Sequence, residues 1–189
     1  QVAGGALLMI SCRARGPWIL LQLVGAVAAL ASFGLNGHSA SLGPVSGAVA
    51  LLHACAASWW LGSLLLLRKA CELLPQPALA SLVRRFSLIA MAAVGLLLVA
   101  GTTLILSLVD LGREEWLTPY AQALALKIIL AIGIVLVAAW NKLRITPRLG
   151  AADRSGVRAL SHSIGIELGL FVGVLLATAW LTTSTSPHD

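Results

Sequence analysis

The sequence predicts an all-α, polytopic transmembrane helix bundle of about five spanning helices, and three observations carry that prediction. Hydrophobic residues make up 59% of the chain and charged residues only 11%, whereas a soluble domain is about a quarter charged. Apolar runs long enough to cross a hydrocarbon core recur at roughly 17–36, 44–68, 86–110, 121–144 and 158–183. Eleven of the thirteen Lys and Arg residues fall in alternate connections between those runs. That asymmetry orients the chain with its basic side in the cytoplasm.

Each run is bounded by a residue that ends or starts a helix for a physical reason: Pro17, Pro44, Arg85, Pro119 and Arg158. Residues 2–10 are apolar but too short to span. Followed by Arg13 and Arg15, residues 1–16 are expected to be the tail of a preceding helix and a cytoplasmic link, so that the bundle is truncated at its N-terminus; a signal-peptide remnant is the alternative. Residues 17–183 form the bundle and residues 184–189 a tail. The orientation puts the His38 loop and the C-terminus on the outer side of the membrane, and Cys71 in the cytoplasm. The connections 69–84, with Pro75 and Pro77, and 145–157 are the only soluble excursions expected. Cys12, Cys55 and Cys71 are odd in number and show no disulfide framework. Small residues at Gly165, Gly169 and Gly173, and at Gly47, Ala50, Ala54 and Ala57, form stripes on which helices are expected to approach closely.

Against this apolar background a few polar side chains stand out: His53, Cys55, Thr102, Thr103, Lys127, Asn141, His162 and Glu167. A carboxylate near mid-membrane costs about 2.5–3.5 kcal/mol on insertion scales, so Glu167 needs a partner, a proton or an ion. Counted from the run boundaries, Glu167 lies about 14 Å from the cytoplasmic end and His53 about 14 Å from the outer end. In a core about 30 Å thick those depths nearly coincide, so the two side chains meet if their helices are neighbours. Such a meeting is either a hydrogen bond that fixes helix register or a metal or proton site. His38, one helix start above His53 on the same side, would extend it into a descending relay of imidazoles. Imidazole and thiolate suit copper, zinc or iron. Cys55, two positions from His53, points to a different helix face and reads first as a small buried residue. Trp59 and Trp60 are too deep for an interfacial belt and are expected to pack the bundle or wall a site. Lys127, about four residues into its helix, either snorkels or pairs with Asp110. His162 and Asn141 are expected at the cytoplasmic face.

The +6 net charge reports topology, not nucleic-acid binding. No phosphate-cradling glycine loop, nucleophile elbow or paired soluble carboxylates are present, and nothing in the chain reads as an enzyme.

The ordered set Gly37-His38, His53 with Trp60-Leu61-Gly62, Arg85-Phe86-Ser87 with Ala90, Leu117-Thr118-Pro119-Tyr120 with Lys127, Asn141-Lys142 and Glu167 resembles the CopD/PcoD copper-resistance family of bacterial inner-membrane proteins. The resemblance covers about residues 37–183. It implies a protein that moves or handles copper ions between periplasm and cytoplasm, often beside a periplasmic copper-binding partner of the CopC type. In that reading His38 captures the ion, His53 and Glu167 hold it, and Cys12 or Cys71 receives it. The chain departs from the family pattern at Ala121, where glycine is common. With only Met9 and Met91, it cannot build a thioether relay. The alternative is a b-type haem membrane cytochrome, since histidines in a small bundle also hold haem. The depth gap of about 10 Å between His53 and His162 is awkward for two axial ligands of one haem.

Overall fold

The computed structural model describes residues 43–108, 119–150 and 154–183, all helical except Gly43 and the join Leu74-Pro75. Helix α1 spans Pro44–Leu73, α2 Gln76–Leu108 and α3 Pro119–Trp140. Helix α3 runs on through a π-helical turn, Asn141–Ile145, into a short α4, Thr146–Gly150; α5 spans Arg154–Thr183. Four of these stretches are long and apolar enough to cross a membrane: Pro44–Leu73, Gln76–Ser107, Pro119–Leu149 and Ser155–Leu181. The run at 17–36, the link 1–16, the tail 184–189, Cys12 and His38 lie outside the described residues.

Helix α1 begins where the sequence says it must. Gly43 has φ +107°, a left-handed conformation open to glycine at little cost. The chain then turns into Pro44, whose missing N–H is no loss at the start of a helix. The carbonyl of Gly43 accepts from the Gly47 N–H at 3.2 Å. Pro119 is likewise the first residue of α3.

Two expectations are corrected here. The segments 69–84 and 145–157 are largely helix and not loops. Helix α1 runs to Leu73 and α2 starts at Gln76, leaving a break of two residues. The Leu74 N–H bonds Ala70 O at 2.9 Å and the Leu79 N–H bonds Pro75 O at 3.1 Å, so backbone bonding is nearly continuous across the break. Gln76 Nε2 donates to Leu149 O at 3.1 Å and ties the join to the end of α4. Charged residues such as Arg84 and Arg85 ended the apolar runs, but they do not end helices: both lie inside α2. Helices α1, α2 and α5 are 30, 33 and 30 residues long. At 1.5 Å per residue that is about 45–50 Å, longer than the hydrocarbon core.

By its contacts the chain divides into two compact units. One holds residues up to Ala56 together with Leu97–Asp110; the other holds Ala57–Leu96 and Leu111–Asp189. In the first, the upper part of α1 meets the latter part of α2, where a Cβ on Gly101 would lie 3.4 Å from Cε1 of His53. The second unit is the larger and contains most of the buried side chains. Its core gathers Trp60, Leu64 and Leu67 of α1, Leu79 and Val83 of α2, Ala123 and Ile134 of α3, and Leu160, Ile164, Glu167 and Phe171 of α5. The α5 positions recur at three- and four-residue spacing, which is one helical face. Outward-facing side chains are apolar: Leu66, Val99, Leu136 and Leu176 are each more than 60% exposed. Such a surface is suited to lipid rather than water.

Helices α3 and α5 interlock by reciprocal leucine-on-glycine contacts. Leu130 of α3 lies over Gly173 of α5, 3.1 Å from where a Cβ would be, and Leu170 of α5 lies over Gly133 of α3 at 3.5 Å. The glycine stripe therefore does not bring two backbones together along its length. Gly173 takes a leucine, Gly165 takes the guanidinium of Arg68, and Gly169 has nothing within 4 Å among the described residues.

Candidate functional site

The buried polar side chains among the described residues, Asn141, Ser163 and Glu167, all belong to the larger unit. Glu167, 2% exposed, is the buried carboxylate among the described residues. It lies 13 residues from the start of α5 and 16 from its end, so about 20 and 24 Å along the helix axis. Its carboxylate oxygen Oε1 accepts from Nδ2 of Asn141 at 2.5 Å. The amide oxygen of Asn141, also buried, has no hydrogen-bond partner among the described residues. In its ionised form the carboxylate can only accept: it can take the amide's N–H but cannot pair with the amide's oxygen.

Local backbone chemistry brings Asn141 inward. Pro147 has no N–H for the carbonyl of Leu143 and its ring crowds that carbonyl, which disfavours the ordinary i→i−4 ladder just before it. The chain answers with the wide turn Asn141–Ile145, in which the Thr146 N–H bonds the Asn141 carbonyl. The Thr146 hydroxyl Oγ1 donates to the same carbonyl at 3.0 Å. π turns of this kind recur at functional sites. The helical path continues to Gly150, and this is why Asn141 is internal. The expected cytoplasmic-face position assumed a helix ending near 144.

The remaining candidates are distributed as follows. Trp60 is 3% exposed and meets Phe171 edge-to-face at 5.6 Å. Phe171 is one helical turn beyond Glu167, so Trp60 walls the same side of α5. Trp59 is instead exposed, stacked on Phe86 at 6.0 Å. His53 is half-buried against Gly101, and it falls in a different compact unit from Glu167. Cys55 is exposed, not buried as expected, because a two-residue step turns it about 160° away from His53. Lys127 is half-buried. Helix α3 begins at Pro119, so Lys127 stands eight residues into it, about 12 Å deep and further in than the four residues expected. Asp110 lies outside the described residues. Lys142, in the π turn, points its ammonium at the sulfur of Met91. His162 is exposed and lines a cleft with Arg68 and Arg158, a setting that favours anions over cations. Among the described residues no three His, Cys, Asp or Glu side chains gather into a metal-binding group.

These features define a multi-pass helical membrane protein whose bundle encloses a carboxylate–amide pair. Residues 80–181 match the family described as CopD, copper resistance protein D. That is more than half of the chain, and the protein belongs to this family. No curated protein and no solved structure matches the chain significantly. The matched stretch includes Lys127, Asn141, His162 and Glu167, and it begins after His38, His53 and Trp60.

Proposed function

We propose that this protein handles copper ions as its cargo in a bacterial inner membrane, and that the Glu167–Asn141 pair is the polar step of that path. The observation that carries the reading is the pair itself: a buried carboxylate hydrogen-bonded to an amide whose own oxygen is unmatched, inside the stretch that matches the copper resistance family. Carboxylate and amide oxygens accept a cation, and imidazole suits copper. His53 is the imidazole assigned to the path within the described residues, and His38 the capturing one on the periplasmic side. A CopC-like periplasmic protein is the partner that would deliver copper to His38. Cargo that must leave again needs weak successive sites and not a closed cage. The absence of a three-ligand group among the described residues is compatible with that requirement.

The test is metal analysis of purified protein after growth in copper, combined with copper tolerance of cells carrying His53→Ala or Glu167→Gln. Copper content and tolerance should fall in both variants while protein levels stay constant. Wild-type values in both would remove these residues from the path. A Soret band in the visible spectrum of the purified protein would replace copper by haem.

A further inference from the structure

At the basic end of the bundle an open cleft of about 500 Å³ is lined by Arg68, Arg158, Ser161, His162, Gly165 and Ile166. The α5 residues Arg158, Ser161, His162 and Gly165 follow at i, i+3, i+4 and i+7, so they form a single stripe on that helix. Arg68 comes from the far end of α1, and its Nη1 would lie 3.3 Å from a Cβ on Gly165. Glycine at this position is what lets the guanidinium lie against α5. Among the described residues the one ion pair is Lys69–Glu72; neither Arg68 nor Arg158 has a carboxylate within ion-pair reach. The cleft thus presents two guanidinium forks, a hydroxyl and an imidazole to an anion.

What lies beside the cleft identifies the anion. Ile166, which lines it, is 45% exposed, and Leu65 and Leu66, on the turn of α1 before Arg68, are 56% and 74% exposed. Polar donors and an outward apolar surface therefore adjoin, as the headgroup and chains of a lipid do. We propose that this cleft binds the phosphodiester of an anionic phospholipid, with Arg68 and Arg158 on the phosphate and the acyl chains along Leu65 and Ile166. A soluble phosphate offers the same oxygens but has no use for the apolar rim.

The experiment titrates detergent-purified protein with phosphatidylglycerol and with phosphatidylethanolamine, reading bound lipid by native mass spectrometry. Phosphatidylglycerol should be the tighter ligand, and Arg68→Gln or Arg158→Gln should each weaken it about tenfold, the loss of one charge-assisted contact. Gly165→Leu keeps both arginines but fills the space in which the guanidinium lies, and it should weaken binding comparably. The double variant Arg84→Gln/Arg85→Gln removes charge from α2, outside the cleft lining, and should bind as wild type. Excess inorganic phosphate should leave lipid binding unchanged. Equal binding of the two lipids, equal loss in the Arg84/Arg85 variant, or wild-type binding in both arginine variants would overturn the assignment. Displacement of the lipid by inorganic phosphate would give the cleft to a free anion and overturn it equally. Melting temperatures matching wild type show that the exposed arginine variants are folded.

Discussion

Replacing Glu167 by glutamine preserves the side chain's length and one acceptor oxygen while exchanging the other oxygen for an N–H₂ donor. In the native pair one bond runs from Asn141 Nδ2 to the carboxylate, and the amide oxygen of Asn141 is left over. Two facing amides can exchange two bonds, so glutamine is able to satisfy the oxygen that an ionised glutamate cannot. A neutral interhelical hydrogen bond in a membrane contributes about 0.6 kcal/mol on average and up to about 1.7. The bond gained therefore offsets the loss of the charge-assisted one, and Glu167→Gln should melt at or slightly above the wild-type temperature. Glu167→Leu removes the acceptor and strands the whole Asn141 amide, costing about 1–3 kcal/mol. For a chain of this size that is a fall of roughly 2–4 °C per kcal/mol. Thermal unfolding in detergent, followed by a fluorescent thiol or light-scattering probe, measures both. If glutamine lowers the melting temperature as far as leucine does, the carboxylate is needed for stability itself, and the hydrogen-bond reasoning is wrong.

Gly173→Leu should separate α3 from α5, because Leu130 already lies 3.1 Å from where a Cβ would stand; overpacking of this kind costs about 1–3 kcal/mol, and the smaller Leu130→Ala should partly rescue it. Trp60→Ala removes a buried ring and its edge-to-face contact with Phe171, which in well-packed cores costs about 3–5 kcal/mol. Trp60→Phe should lose much less, and equal loss in both would argue against the aromatic contact. Cys71, half-buried near the end of α1, should resist an impermeant thiol reagent in intact cells and react after permeabilisation. Labelling from outside would reverse the proposed orientation.

Much of the architecture is written in the chain itself. The apolar span that begins at Pro44 appears as a helix starting at that residue, since proline and the preceding glycine act locally on the backbone. The ends at the basic side are different. Arg68, Arg84 and Lys142 interrupt hydropathy without interrupting helical hydrogen bonding, so reading charge as a helix boundary shortened α1, α2 and α3. Glu167 is conspicuous by cost alone, and its burial follows from that. Its partner is not, because Asn141 becomes internal only when the helix is carried through the wide turn ahead of Pro147. Pro147, six residues after Asn141, was the available signal. The glycines show the same limit: their spacing marks where something comes close, but not whether it is a backbone, the leucine of Gly173 or the arginine of Gly165.

The carboxylate–amide pair also bears on the order in which the bundle is made. Chains emerge N-terminus first, and α3, which carries Asn141, precedes α5, which carries Glu167. The asymmetry is favourable, because an asparagine left alone in lipid has no charge to desolvate, whereas an ionised carboxylate does. Had the two residues been exchanged between the helices, the costly group would have waited in the bilayer for a partner still on the ribosome. As it is, the glutamate enters a membrane in which its hydrogen-bond donor is already present.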